Sequence, residues 1–139
     1  MPVLRRHGVP GAQARRVQAM LGDLGPATIH HGCCRGADAQ FARIAVMLTR
    51  GVINVIGHPS TLTNWTSVEA LKLCDETRDK LAPLTRNRVI VDTCELLIAC
   101  PAGYAEEQRS GTWATIRYAR KLGRALRIVW PDGRVTEEG

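Results

Sequence analysis

The sequence predicts an α/β fold with a mostly parallel sheet, and three observations carry that prediction. Short aliphatic runs (Ala27–His31, Val52–Ile56, Glu95–Cys100, Leu126–Trp130) alternate with amphipathic segments of about a dozen residues, the order expected of βαβ units with right-handed crossovers. Glycine and proline fall between these runs and punctuate them. The chain has 139 residues, of which 45% are hydrophobic and 23% charged, which suits one globular domain and excludes a disordered tail protein.

Each element has its own signal. Val3-Leu4 is too short a run to define a strand. Pro10 to about Leu21 reads as a helix, with Val17, Met20 and Leu21 at i, i+3 and i+4, Pro10 at its start, and Gly22 and Gly25-Pro26 stopping it. A strand over Ala27–His31 leads through Gly32 into a helix from Ala37 to Thr49, whose stripe is Phe41, Ile44, Ala45 and Leu48 and which Gly51 ends. Val52–Ile56 is a buried type of strand, broken by Gly57-His58-Pro59-Ser60. Thr61–Pro83 is the least regular stretch, with helical character from Ser67 to Thr77. A helix over Leu84–Thr93 precedes Glu95–Cys100, the strongest strand signal in the chain. After a polar loop to Ser110, Gly111–Leu122 forms a helix with Ile116, Ala119 and Leu122 on one face, and Gly123 closes it. Leu126–Trp130 is a last strand, Pro131-Asp132-Gly133 a turn, and a polar tail follows from about residue 134.

Composition narrows the function. No run of about 18 apolar residues exists, so no membrane span is expected. No apolar stretch of signal-peptide length opens the chain, so a cytoplasmic location is expected. The five cysteines (33, 34, 74, 94 and 100) include no CxxC, which argues for reduced thiols over a disulfide framework or a cysteine-rich zinc site. His30 and His31 are adjacent, so on a strand they face opposite sides and do not share one ion; no metal is expected. A Cys-His nucleophilic pair is not expected either, because nothing in the sequence sets a thiolate beside an oriented base. Net charge is +6, from 16 Arg and 3 Lys against 13 acids, which suits an anionic partner or, since the charges are spread rather than clustered, an arginine-rich composition that implies none. One Phe, two Tyr and three Trp are too few for a single-strand stacking platform, and Trp65, Trp113 and Trp130 read as packing residues.

In a parallel sheet ligands gather at the carboxyl ends of the strands, and two loops there have suitable composition. In Gly32-Cys33-Cys34-Arg35-Gly36-Ala37-Asp38, glycines let the backbone approach a ligand, helix-start amides suit a phosphate, Arg35 adds a charged contact, and Asp38 favours the helix start. The same residues also suit a plain tight turn with a capping Asp38. In Arg109-Ser110-Gly111-Thr112, hydroxyls and amides could bind phosphate, or Ser110 or Thr112 could simply cap the helix. Arg86-Asn87-Arg88 places a forked donor beside an amide, which suits ribose or phosphate, or else a solvated face.

These three blocks, His30–Asp38, Arg86–Val91 and Arg109–Lys121, resemble in order the signature blocks of the SLOG superfamily, nearest to its small YspA-like Rossmann branch. The resemblance covers about Ile29 to Gly133. It implies a doubly wound, three-layer Rossmann-like sandwich that binds a nucleotide or nucleotide derivative as a sensor or carrier, without a further cofactor and as a homo-oligomer. The implied ligand contacts are Gly32, Cys33, Arg35, Gly36, Ala37, Asp38, Arg86, Asn87, Arg109, Ser110, Gly111 and Thr112. Members of the branch usually carry a Gly-x-Thr-Gly loop after the first strand, which the opening residues here lack. Lonely Guy phosphoribohydrolases, which are relatives, carry a glutamate soon after a Gly-Gly-x-Gly-Thr loop. Here Gly111-Thr112 is followed by Trp113-Ala114-Thr115, and Glu106 and Glu107 lie before the glycine. An N-glycosidic hydrolase using Asp38 or Asn87 is therefore an alternative behind ligand binding. A DNA-binding module akin to the DNA-processing protein A relatives is another.

Overall fold

The computed structural model describes residues 11–24, 26–49 and 53–139. Along them run α1 (Gly11–Asp23), β1 (Ala27–His31), α2 (Ala37–Thr49), β2 (Ile53–Gly57), α3 (Val68–Lys72), β3 (Glu76–Thr77), α4 (Pro83–Thr93), β4 (Leu96–Ala99), α5 (Gly111–Lys121), β5 (Ala125–Val129) and β6 (Val135–Glu138). The expectations made at Val3-Leu4, Pro10, Gly25, Gly51 and Val52 lie outside the described residues.

The expected α/β alternation is present, with the strands in two three-stranded sheets ordered β1-β2-β3 and β4-β5-β6. β1 pairs with β2 in parallel from Ala27–Ile53 to His31–Gly57, and β3 adds to β2 in parallel. β4 pairs in parallel with β5, while β6 runs antiparallel to it. One buried cluster joins both halves: Val17, Leu21, Ile29, Phe41, Ile53 and Val55 meet Ile98 and Val129 of the second sheet and Cys100 just after β4. A second cluster seats α5 on its sheet through Trp113, Ile116 and Ala119 against Leu97, Leu126 and Ile128. Each such large apolar side chain contributes about 1.5–3 kcal/mol on full burial. Gln13, fully buried on α1, adds a polar tie to the second half by donating from Nε2 to Pro101 O (2.9 Å) and Val129 O (2.8 Å). Among the described residues no helix is long and apolar enough to cross a membrane.

Three expectations need correction. The helix expected over Ser67–Thr77 is one short turn of chain, Val68–Lys72, which Ser67 opens by accepting from Ala70 N. Asp75 then draws the chain back to β2: its N–H donates to Val55 O and its carboxylate accepts from Val55 N, both at 2.8 Å, so β3 can form. The polar tail is strand β6. Its acids find cations, Glu137 with Arg127 across the pairing and Glu138 with Arg120 of α5, and Trp130 Nε1 donates to Thr136. The turn signal at Asp132-Gly133 made this legible in principle, since Gly133 has φ +88 and Asp132 accepts from Arg134 N. Finally, Leu122 does not share the buried face of Ile116 and Ala119 but is exposed as the C-cap of α5.

Candidate functional site

The turn after β1 is closed upon itself. Cys33, at φ +59, and Gly36, at φ +84, bend the chain from β1 into α2. Three successive amides ahead of the start of α2 have internal partners. Cys33 N donates to His31 Nδ1 (3.0 Å), Cys34 N to Asp38 Oδ2 (3.0 Å) and Arg35 N to Trp65 O (2.7 Å). Ser67 N returns a bond to Cys33 O, so the 65–67 segment covers the turn. Asp38 is fully buried and caps from inside, and Ala37 is buried in the shared core.

Arg86 locks this turn to α4. Only 4% exposed, it donates from Nη1 to Gly32 O (2.6 Å) and His58 O (3.1 Å) and from Nε to Asn87 Oδ1 (2.7 Å). Nη2 points at Cys34 Sγ, 3.8 Å away. Gly32 is glycine for a steric reason. A Cβ there would lie 2.8 Å from Arg86 Nη1 and 3.1 Å from Asp38 Oδ2. The structure thus brings Gly32, Asp38, Arg86 and Asn87 together, with the guanidinium turned inward.

Arg35 faces elsewhere, into a cleft of about 710 Å³ at the carboxyl ends of β1, β2 and β3. Pro59 and Ser60 enter it just after β2, and Thr77, Arg78, Asp79 and Lys80 at and after β3. Thr63 and Thr66 add hydroxyls from the 60s loop. The loops are joined by the Ser60–Leu81 bridge and by Thr61 N donating to Leu81 O. Three cations, Arg35, Arg78 and Lys80, face one acid of the lining, Asp79; Arg78 also pairs with Glu76 at 3.0 Å in an exposed position.

The 109–112 block sits at the start of α5. Ser110 is the N-cap and accepts from Trp113 N at 3.3 Å; Arg109 and Gly111 are exposed and Thr112 is buried. The preceding loop is held by Arg117, which reaches Glu106 Oε2, Glu107 O and Gln108 O. Between α4 and α5 lies a separate groove of about 350 Å³ that Asn87, Arg88, Thr115 and Lys121 help to line. α4 therefore stands between the two glycine-bearing blocks, with Arg86 turned to the first and Asn87 reaching the groove beside α5. Of the tryptophans, Trp113 and Trp130 pack together, with Tyr104 stacked on Trp130, whereas Trp65 is exposed and contributes its carbonyl.

The histidines do face opposite sides of β1, and each finds a partner the sequence did not reveal. His30 Nδ1 lies 2.8 Å from His58 Nε2, and burial lowers both rings to about 4. On the other side His31, Cys33 and Cys74 place their donor atoms within 4.8 Å of one another. His31 Nε2 is 3.6 Å from Cys74 Sγ, while its Nδ1 is fixed by Cys33 N–H. This corrects the expectation that no sulfur stands beside an oriented imidazole. The signal was beyond sequence reach because Cys74 arrives through the Asp75–Val55 return of the chain. The neighbouring Cys33 thiol lowers the pKa of Cys74, and the same contact raises its own. Burial pushes the Cys34 thiol up to about 11.

No protein-family model, curated protein or solved structure matches this chain. The SLOG resemblance therefore stands on its three sequence blocks.

Proposed function

We propose that this chain is a nucleotide- or nucleotide-derivative-binding protein of the SLOG type, a sensor or carrier, whose phosphate occupies the cleft at the carboxyl ends of β1, β2 and β3. One observation carries the reading: a cleft of nucleotide size at the strand ends where parallel α/β folds bind ligands, lined by Arg35, Arg78 and Lys80 against Asp79. The doubly wound, three-layer arrangement is part of the same proposal, supported by the single buried cluster that runs through both sheets.

The contacts differ from those implied by the resemblance. With the amides of Cys33, Cys34 and Arg35 engaged, phosphate recognition falls to cationic side chains and to the hydroxyls of Ser60, Thr63 and Thr66. Asp38 and Asn87 already accept from Cys34 N and Arg86 Nε, which supports binding over an N-glycosidic hydrolysis that would need one of them turned to substrate. A DNA face gains little support, because Arg43, Arg117, Arg120 and Arg127, outside the cleft, each pair with a glutamate.

Isothermal titration with nucleoside mono-, di- and triphosphates, and with inorganic phosphate, tests the reading. Binding is expected for at least one nucleotide, weakened about tenfold or more by Arg35→Ala or Lys80→Ala, the effect of losing one charged hydrogen bond. No heat from any nucleotide at millimolar concentration would contradict it.

A further inference from the structure

We propose that Cys33 and Cys74 form a reversible dithiol–disulfide pair responsive to peroxide, in which Cys74 attacks first, Cys33 resolves and His31 positions the attacking sulfur. This stands apart from the nucleotide reading and needs no ligand in the cleft.

The geometry has three parts. Both sulfurs crowd the same point: a Cβ on Gly57 would lie 2.6 Å from Cys33 Sγ and 2.6 Å from Cys74 Sγ, so glycine at the end of β2 leaves the space in which they meet. Cys33 is directed there from a left-handed backbone conformation and is fully buried, while Cys74 is only partly buried and open to a small oxidant. His31 supplies the third part. Because Cys33 N–H donates to Nδ1, the proton of the neutral ring is on Nε2, the nitrogen that faces Cys74 Sγ. The ring thus offers an N–H to a Cys74 thiolate. As a thiol, Cys74 donates instead to Ala70 O at 3.1 Å. The same tautomer argues against a metal at this triad, since a cation at its centre would meet that N–H rather than a lone pair. Cys34, next in sequence, is not part of the pair: its sulfur lies by Gly32 O and Arg86 Nη2, and burial holds it protonated.

The reaction balances with hydrogen peroxide as the oxidant. The Cys74 thiolate attacks one peroxide oxygen, an S–O bond forms, the O–O bond breaks, and hydroxide leaves and takes up the Cys33 thiol proton as water. The Cys33 thiolate then attacks the Cys74 sulfenic sulfur; the S–S bond forms, the S–O bond breaks, and hydroxide leaves and is protonated from solvent. Two thiols lose two electrons and two protons, and peroxide becomes two waters. The bond would staple the turn after β1, which carries Arg35 of the cleft, to the segment between α3 and β3.

Treating the full chain with equimolar peroxide, followed by intact mass measurement and peptide mapping, tests this. Wild-type protein is expected to lose the mass of two hydrogens, to yield a Cys33–Cys74 linked peptide, and to recover on reduction with dithiothreitol. Cys33→Ser is expected to stop at a Cys74 sulfenic acid that dimedone traps, and Cys74→Ser to form no disulfide. His31→Phe is expected to slow the first step several-fold, with His31→Gln, which keeps an N–H donor, recovering part of the rate. The wild-type map decides the matter even if a variant fails to fold. A disulfide through Cys34, Cys94 or Cys100, unreacted Cys33 and Cys74 with other thiols oxidised, or stoichiometric zinc that shields both sulfurs would each overturn the proposal.

Discussion

The turn after β1 and the turn before α5 share a composition of glycine, arginine and small polar residues, and both lead into a helix. Their partners make them different. In the first, Cys33, Cys34 and Arg35 give their amides to His31, Asp38 and Trp65, and Arg86 fastens Gly32 O from 54 residues away. In the second, one side chain, Ser110, caps the helix, and Arg109 and Gly111 stay exposed. A glycine-bearing turn at a helix start is therefore an anion cradle only if the rest of the chain leaves its amides unspent. The first turn is a frame with Gly32, Cys33 and Asp38 buried, and its one cation, Arg35, is exposed and lines the neighbouring cleft.

Removing the fastener separates the two turns most sharply. Arg86→Ala leaves Gly32 O and His58 O buried without their donor, and a loss of about 3–5 kcal/mol is expected in urea unfolding. Arg86→Lys is expected to recover little, since an ammonium cannot reproduce the fork. An unchanged midpoint would mean that the turn holds itself. Gly32→Ala drives a methyl against Arg86 and is expected to cost about 1–3 kcal/mol, whereas Gly111→Ala, with nothing near its Cβ position, is expected to be close to neutral by the same measurement. Equal costs at the two glycines would erase the contrast. Ser110→Ala removes only a cap and is expected to cost about 1 kcal/mol, readable as a small drop in Tm.

Acid provides another handle on the first half of the molecule. Burial lowers His30 and His58 from 6.5 to about 4 in the folded state. Below pH 6.5 the unfolded chain takes up protons that the folded chain refuses, so stability is full above that value and falls as pH drops towards 4. Urea midpoints measured across this window are expected to decline, and less steeply in His58→Gln. Identical slopes for the two proteins would remove the histidine pair from the account.

The sequence made the alternation of strands and helices legible because Ile, Val and Leu runs are bounded by Gly and Pro, as at Gly57-His58-Pro59 and Gly123. It also singled out Arg86, Asn87, Asp38 and Gly32, which do meet, drawn together by the hydrogen bonds of Arg86 and Asp38. What escaped it depends on distant partners. Asp75 binds Val55 across 20 residues, which turns an expected helix into a return to β2 and delivers Cys74 to His31. The cations Arg78 and Lys80 join Arg35 only through that same return. Strand β6 looked like a tail because Val135–Glu138 holds one large apolar residue, and its acids meet Arg120 and Arg127 only once the chain has folded.

Amide chemical-shift mapping during titration with a bound nucleoside phosphate places the ligand by residue. Shifts centred on residues 59–66 and 77–80, lost in Arg35→Ala, would bear out a side-chain cleft at the ends of β1–β3. Shifts confined to residues 109–115 instead would assign the phosphate to α5 and refute the account.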